Sequence, residues 1–119
     1  MEKEFVNYTQ AVALKELGFD EPCLAYYNTE KLFKFPGTTM YNRNFLDLLT
    51  VTAPLKQQAF RWFREKHNLQ TEMVFSEKPD RFYYYIGNMV TGDMDRGDDM
   101  SYEEAEQACL DKLIQIVKG

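Results

Sequence analysis

The C-terminal segment constrains the fold most. Ser101-Tyr102-Glu103-Glu104 is a capping box, in which the serine hydroxyl accepts from the amide three residues on and the Glu104 carboxylate reaches back to the Ser101 amide. Ala105, Ala108, Cys109, Leu113, Ile116 and Val117 then recur at the helical period and lay one apolar stripe. A helix marked this way at its start and apolar along one face needs a partner surface, because a short helix is marginal in water. The rest of the chain must supply that surface.

Two further helices are marked. Asn7 and Gln10 form a variant of the same box, Ala11 and Leu14 share a stripe, and Gly18-Phe19 fits the ending in which an apolar residue beyond the glycine packs back on the last turn, here on Leu14. Thr52-Ala53-Pro54 opens the other helix, with proline in the first turn. Leu55, Ala59, Trp62 and Phe63 repeat along it, opposite Lys56, Gln57, Arg61, Arg64 and Lys66, and Asn68 is its left-handed terminator.

Between the helices lie two hairpin signals. Cys23 to Tyr27 and Lys31 to Phe35 flank Asn28-Thr29-Glu30, and Thr71 to Ser76 and Arg81 to Ile86 flank Glu77-Lys78-Pro79-Asp80. Pro36 to Thr52 reads as loop, with Phe45 to Leu49 as a helical turn or a short strand; Gly87 to Met100 is acidic and reads as a solvated connection. The order helix-hairpin-helix-hairpin-helix predicts one α+β domain over residues 1–119, with about three helices on one face of a mostly antiparallel four-stranded sheet. The order hints at duplication, but the halves share too little sequence to be a repeat.

Charge narrows the partners. Lys and Arg number 14 against 19 Asp and Glu, a net charge of −5, which argues against DNA and anionic membrane, since both need a basic face. No run approaches the ~18 apolar residues of a spanning helix and the N-terminus lacks a signal-peptide core, so a cytoplasmic protein is expected. Cys23 and Cys109 stand far apart with no metal-ligand spacing around either, so buried free thiols are expected, and no cofactor or metal site.

Familiar catalytic patterns are missing. The lone histidine, His67, ends its helix, where a cation complements the helix dipole, and no Ser-His-Asp, Cys-His, HExxH, GxSxG or Walker pattern includes it. Asp93, Asp95, Asp98 and Asp99 suggest a calcium loop, but Gly97 falls one place short of the EF-hand glycine and a strand, not a helix, precedes it. Arg96-Gly97-Asp98 spells an adhesion tripeptide and reads as chance.

The aromatic content, 15%, is more informative. Tyr83-Tyr84-Tyr85 must place rings on both faces of a strand. If Phe82, Tyr84 and Ile86 face the helices, Tyr83 and Tyr85 face outward, with Tyr26 or Tyr27 of the other hairpin as candidate neighbours. Outward tyrosines are a stacking platform, a patch for a protein partner, or cross-strand pairs that only stabilise the sheet. Arg61 and Arg64 share a helix face, where they serve as a solvated surface or as a phosphate grip to which Lys56 and Arg43 could add.

Three segments together resemble a known family: Gln10 to Cys23 (QAVALKELGFDEPC), Ala53 to Lys66 (APLKQQAFRWFREK) and Tyr102 to Ile114 (YEEAEQACLDKLI). They look like short proteins of no assigned activity encoded by phages and prophages of gut bacteria. The resemblance implies an accessory protein that acts by binding in the cytoplasm of an infected or lysogenic host, and it carries over no catalytic residue. The expectation that follows is a non-enzymatic sponge for an anionic, nucleotide-like immune signal, with Arg61, Arg64 and Arg43 on phosphates and Tyr83, Tyr85 and Tyr26 on the base. The alternatives are a protein inhibitor anchored by the same tyrosines and Trp62, and a metal-dependent phosphodiesterase using the four aspartates. Open sheet edges suggest a homo-oligomer.

Overall fold

Helix α1 (Tyr8–Glu16) begins and ends as its sequence dictates. Asn7 Oδ1 accepts from the Gln10 amide at 2.8 Å, and Gln10 Oε1 accepts from the Asn7 amide at 3.0 Å. At the other end Gly18 takes φ 95°, the Phe19 amide donates to the Leu14 carbonyl at 2.9 Å and the Gly18 amide to the Lys15 carbonyl at 3.1 Å, which together form a Schellman ending. Phe19 and Leu14 are both buried.

The computed structural model describes all residues 1–119, and the chain divides into two compact units, Met1–Ala59 and Phe60–Gly119. In the first, β1 (Tyr26–Tyr27) is the middle strand of an antiparallel sheet, between β2 (Phe33–Lys34) and β3 (Val51–Thr52). Tyr27 pairs with Phe33 and with Val51. The turn between β1 and β2 is organised by Asn28, whose Oδ1 accepts from the Glu30 and Leu32 amides at 2.9 and 3.0 Å. Asn42, inside a 3-10 turn (Asn42–Asn44), is buried. It donates from Nδ2 to the Phe19 carbonyl at 2.8 Å and accepts at Oδ1 from the Thr52 amide at 2.9 Å, so it ties the end of α1 to β3.

Helix α2 (Lys56–His67) spans the division between the units. It starts later than the sequence suggests: Thr52 is strand, Leu55 is exposed and Lys56 is buried, while Phe60 joins Ala59, Trp62 and Phe63 inside. Asn68, at φ 57°, ends it as expected.

The second unit is built on β4 (Leu69–Phe75), β5 (Phe82–Asn88) and β6 (Met94–Arg96), in that spatial order and all antiparallel. Helix α3 (Tyr102–Lys118) packs on β5 and β4. Its box is formed, with Ser101 Oγ accepting from the Glu104 amide at 3.2 Å and Glu104 Oε1 from the Ser101 amide at 3.1 Å. Leu110 and Ile114 are buried beside Ala105, Cys109 and Leu113, so the apolar stripe is wider than a single row.

The expected four-stranded sheet does not form. The chain builds two separate three-stranded antiparallel sheets, each a hairpin of the expected kind plus one strand from a segment read as irregular. Both extra strands, Val51–Thr52 and Met94–Arg96, are too short to show an alternating pattern, and only pairing with β1 and β5 makes them strands. Two further residues pair past β6: Gly97 donates to the Tyr84 carbonyl at 3.0 Å, and Phe82 and Met100 exchange amide bonds at 2.8 Å. Between the Tyr85–Arg96 and Phe82–Met100 pairings lie two residues on β5 and three opposite, so the returning chain carries a β-bulge. No helix is long and apolar enough to cross a membrane.

Candidate sheet-face binding site

Strand β5 alternates as its tyrosines require. Tyr84 and Ile86 are buried on the side where α3 packs, and Tyr83 and Tyr85 are half-buried on the other. Register fixes their neighbours: Tyr85 lies between Glu72 of β4 and Arg96 of β6, and Tyr83 is opposite Val74. The Arg96 guanidinium reaches diagonally over the Tyr83 ring, 3.8 Å from its centroid. Tyr85 donates its hydroxyl proton to the Met94 sulfur, two positions along β6 from Arg96. The outer face thus carries, side by side, two tyrosines, an arginine, a methionine and one carboxylate.

The acidic segment is tied to this face through Asp99. Asp99 lies 3.2 Å from Lys78 Nζ and 3.8 Å from Arg96, so one carboxylate links the β4–β5 turn region to the cation over Tyr83. Gly97 has a packing reason: a Cβ there would overlap the Tyr84 ring. No group of three or more His, Cys, Asp or Glu side chains is placed to hold a metal ion.

The other expected site residues have settings of their own. Arg61 and Arg64 lie on the exposed side of α2, and the cation over Tyr83 is Arg96. Tyr26 and Arg43 belong to the first unit. Tyr26 stacks on Phe45, with ring centroids 5.5 Å apart. Arg43 is engaged by Asp20, which accepts its side-chain proton at 2.7 Å and its amide at 3.0 Å, and its guanidinium covers the Tyr41 ring at 4.0 Å. Burial opposes ionisation of Asp20, but the hydrogen bonds and charge of Arg43 prevail and hold the carboxyl below its ordinary value. Trp62 is only 4% exposed and cannot anchor a partner.

Of the remaining reactive groups, both thiols are buried and His67 is half-buried. His67 packs its ring against Trp62 and Phe63, at 5.0 and 5.9 Å, and burial lowers its pKa, so at neutral pH it is not the helix-capping cation its position suggested. Cys23 and Cys109 are buried free thiols, pushed up by burial to about 11 and about 12. Neither is available as a thiolate.

Arg96 is the site residue that sequence reasoning missed. Its segment reads as acidic loop, and only the pairing of β6 with β5 brings it to the tyrosines. No protein-family model matches the chain, and searches of curated proteins and of solved structures find nothing similar.

Proposed function

We propose that this chain is a non-enzymatic binding protein, an accessory protein of phage or prophage origin, whose outer β4-β5-β6 face docks a host protein. One observation carries the reading: Tyr83, Tyr85, Met94 and Arg96 share one open sheet face, with Glu72 and Arg96 presenting opposite charges on either side of Tyr85. Tyrosine, methionine and arginine are the side chains enriched where proteins meet, and sites for small molecules are concave, whereas this face is a sheet surface. The Glu72–Tyr85–Arg96 row suits a partner with complementary charges around an apolar centre.

The test is capture of a partner from host lysate by the wild-type chain, followed by affinity measurement with the purified partner. Tyr85→Ala and Arg96→Glu are expected to weaken binding by about tenfold to a hundredfold each, as central aromatic and arginine anchors do. Binding that survives both substitutions would remove this face from the interface.

A second reading, sequestration of a nucleotide-like immune signal, is favoured by the Arg96–Tyr83 contact, because a guanidinium beside an aromatic ring can pair a phosphate while the ring stacks a base. A phosphate there would compete with Asp99 for Arg96. Native mass spectrometry after incubation with a nucleotide extract distinguishes the two. A retained small-molecule mass, lost in Tyr85→Ala and in Arg96→Glu, would favour the sponge; a clean protein mass favours the protein partner.

A further inference from the structure

The loop over residues 45–50 of the first unit is fastened down with its middle, residues 46–49, left exposed. Lys15 Nζ donates to three carbonyls of this loop, those of Phe45 at 3.1 Å, Asp47 at 2.9 Å and Thr50 at 3.0 Å. Asp47 Oδ1 accepts from the Leu49 amide at 3.0 Å and the Thr50 amide at 2.6 Å, and the Phe45 ring stacks on Tyr26. Charge-assisted bonds of this kind are about twice as strong as neutral ones. Yet the side chains they display are apolar: Leu46 is 96% exposed, Leu48 82% and Leu49 53%. Holding backbone in one conformation costs about 1–2 kcal/mol per residue. Within the chain, Leu46 and Leu48 return almost no burial for it.

The same unit has a recess of matching chemistry. A cleft of about 170 Å³ is walled by Phe5, Pro22, Leu24, Ala53 and Leu55, and Leu24 and Leu55 are themselves half open to solvent. Gln58 lines it too, but its Nε2 is spent on the Pro22 carbonyl at 2.9 Å. The cleft therefore presents mostly apolar surface and has room for one branched aliphatic side chain.

We propose that the leucine loop of one copy of this chain docks in the Phe5–Leu55 cleft of a second copy, reciprocally, in a two-fold dimer. Knob and hole lie on one unit, so each copy offers both halves of a self-complementary contact, and a two-fold axis closes it without leaving either half free. A standard interface takes about 800 Å² from each partner. That is roughly a tenth of the 7059 Å² this chain exposes, and reciprocal docking draws on loop and cleft from both copies. A bilayer is the poorer occupant for the leucines, because a chain of net charge −5 is repelled by an anionic surface.

Sedimentation velocity of the full chain over a micromolar-to-millimolar dilution series tests the proposal. A reversible monomer–dimer equilibrium is expected, and the double variant Leu46→Glu, Leu48→Glu should raise the dissociation constant about a hundredfold or more. Leu24→Glu, on the cleft side, should do the same. Both variants should keep the wild-type circular dichroism spectrum and melting temperature of the monomer, since they alter exposed positions. Mixed together they should recover a heterodimer through the one intact loop–cleft contact. A wild-type chain that stays monomeric throughout would overturn the proposal. So would a dimer that resists both variants, one that dissociates only on Tyr85→Ala, or a monomer whose leucines are instead needed to bind neutral lipid vesicles.

Discussion

Gly97 shows how a single atom governs the candidate site. Its amide bonds the Tyr84 carbonyl, and the absent Cβ is the space the Tyr84 ring occupies. Gly97→Ala must push that ring or the bulge aside, so a loss of about 1–3 kcal/mol in urea-unfolding stability is expected, as for other overpacked positions. The same substitution should loosen Arg96, which precedes it, and weaken whatever binds the outer face. Sequence reading found the glycine but took Arg96-Gly97-Asp98 for chance or a solvated loop. The residue's purpose is a contact with a ring twelve or more positions away, which no local pattern encodes.

At the level of elements, the helices were legible and the sheets only partly. Asn7, Gly18, Asn68 and Ser101 all sit where their side chains or backbone freedom predict, because caps are local interactions. Helix α2 departs at its start, where Thr52 is drawn into β3 by pairing with Tyr26. The loop from Phe45 to Thr50 belongs to this scale too, since its conformation depends on a lysine from α1. The Thr50 amide, joined by the Leu49 amide and the Lys15 charge, holds the Asp47 carboxyl below its ordinary value. Lys15→Met removes three carbonyl partners at once. Faster hydrogen exchange at the Leu49 and Thr50 amides is expected, with weaker dimerisation, because a loose loop must be ordered again on docking.

Across the whole molecule, four groups respond to acid in the same sense. Asp20, Asp47 and Glu104 have pKa values lowered from 3.8, 3.8 and 4.5, through Arg43, the Thr50 amide and the Ser101 amide, and His67 is lowered from 6.5 by burial. In each case the unfolded chain binds the proton more readily than the folded one. The stability they contribute is therefore present above the unfolded values and is lost as the pH falls through the folded ones. Unfolding midpoints measured against pH should decline first just below 6.5, from His67, and again below about 4, from the carboxylates. His67→Gln should flatten the first decline and leave the second. A first decline that persists in His67→Gln would assign it to another group.

What the sequence alone determined is whatever a few neighbouring residues settle among themselves: three helices with every cap but the start of α2, two hairpins, buried thiols, and outward tyrosines at 83 and 85. Alternation along a strand and capping within a turn are short-range physics, so they can be read from one chain. The tertiary structure decided what depends on pairing across distance. It divided the strands between two sheets, turned Val51–Thr52 and Met94–Arg96 into edges of them, and buried Trp62 and Lys56. It also brought Arg96 over Tyr83. A strand of two or three residues has no period of its own, and a side chain's partner across a sheet is set by register, which exists only once the strands have met.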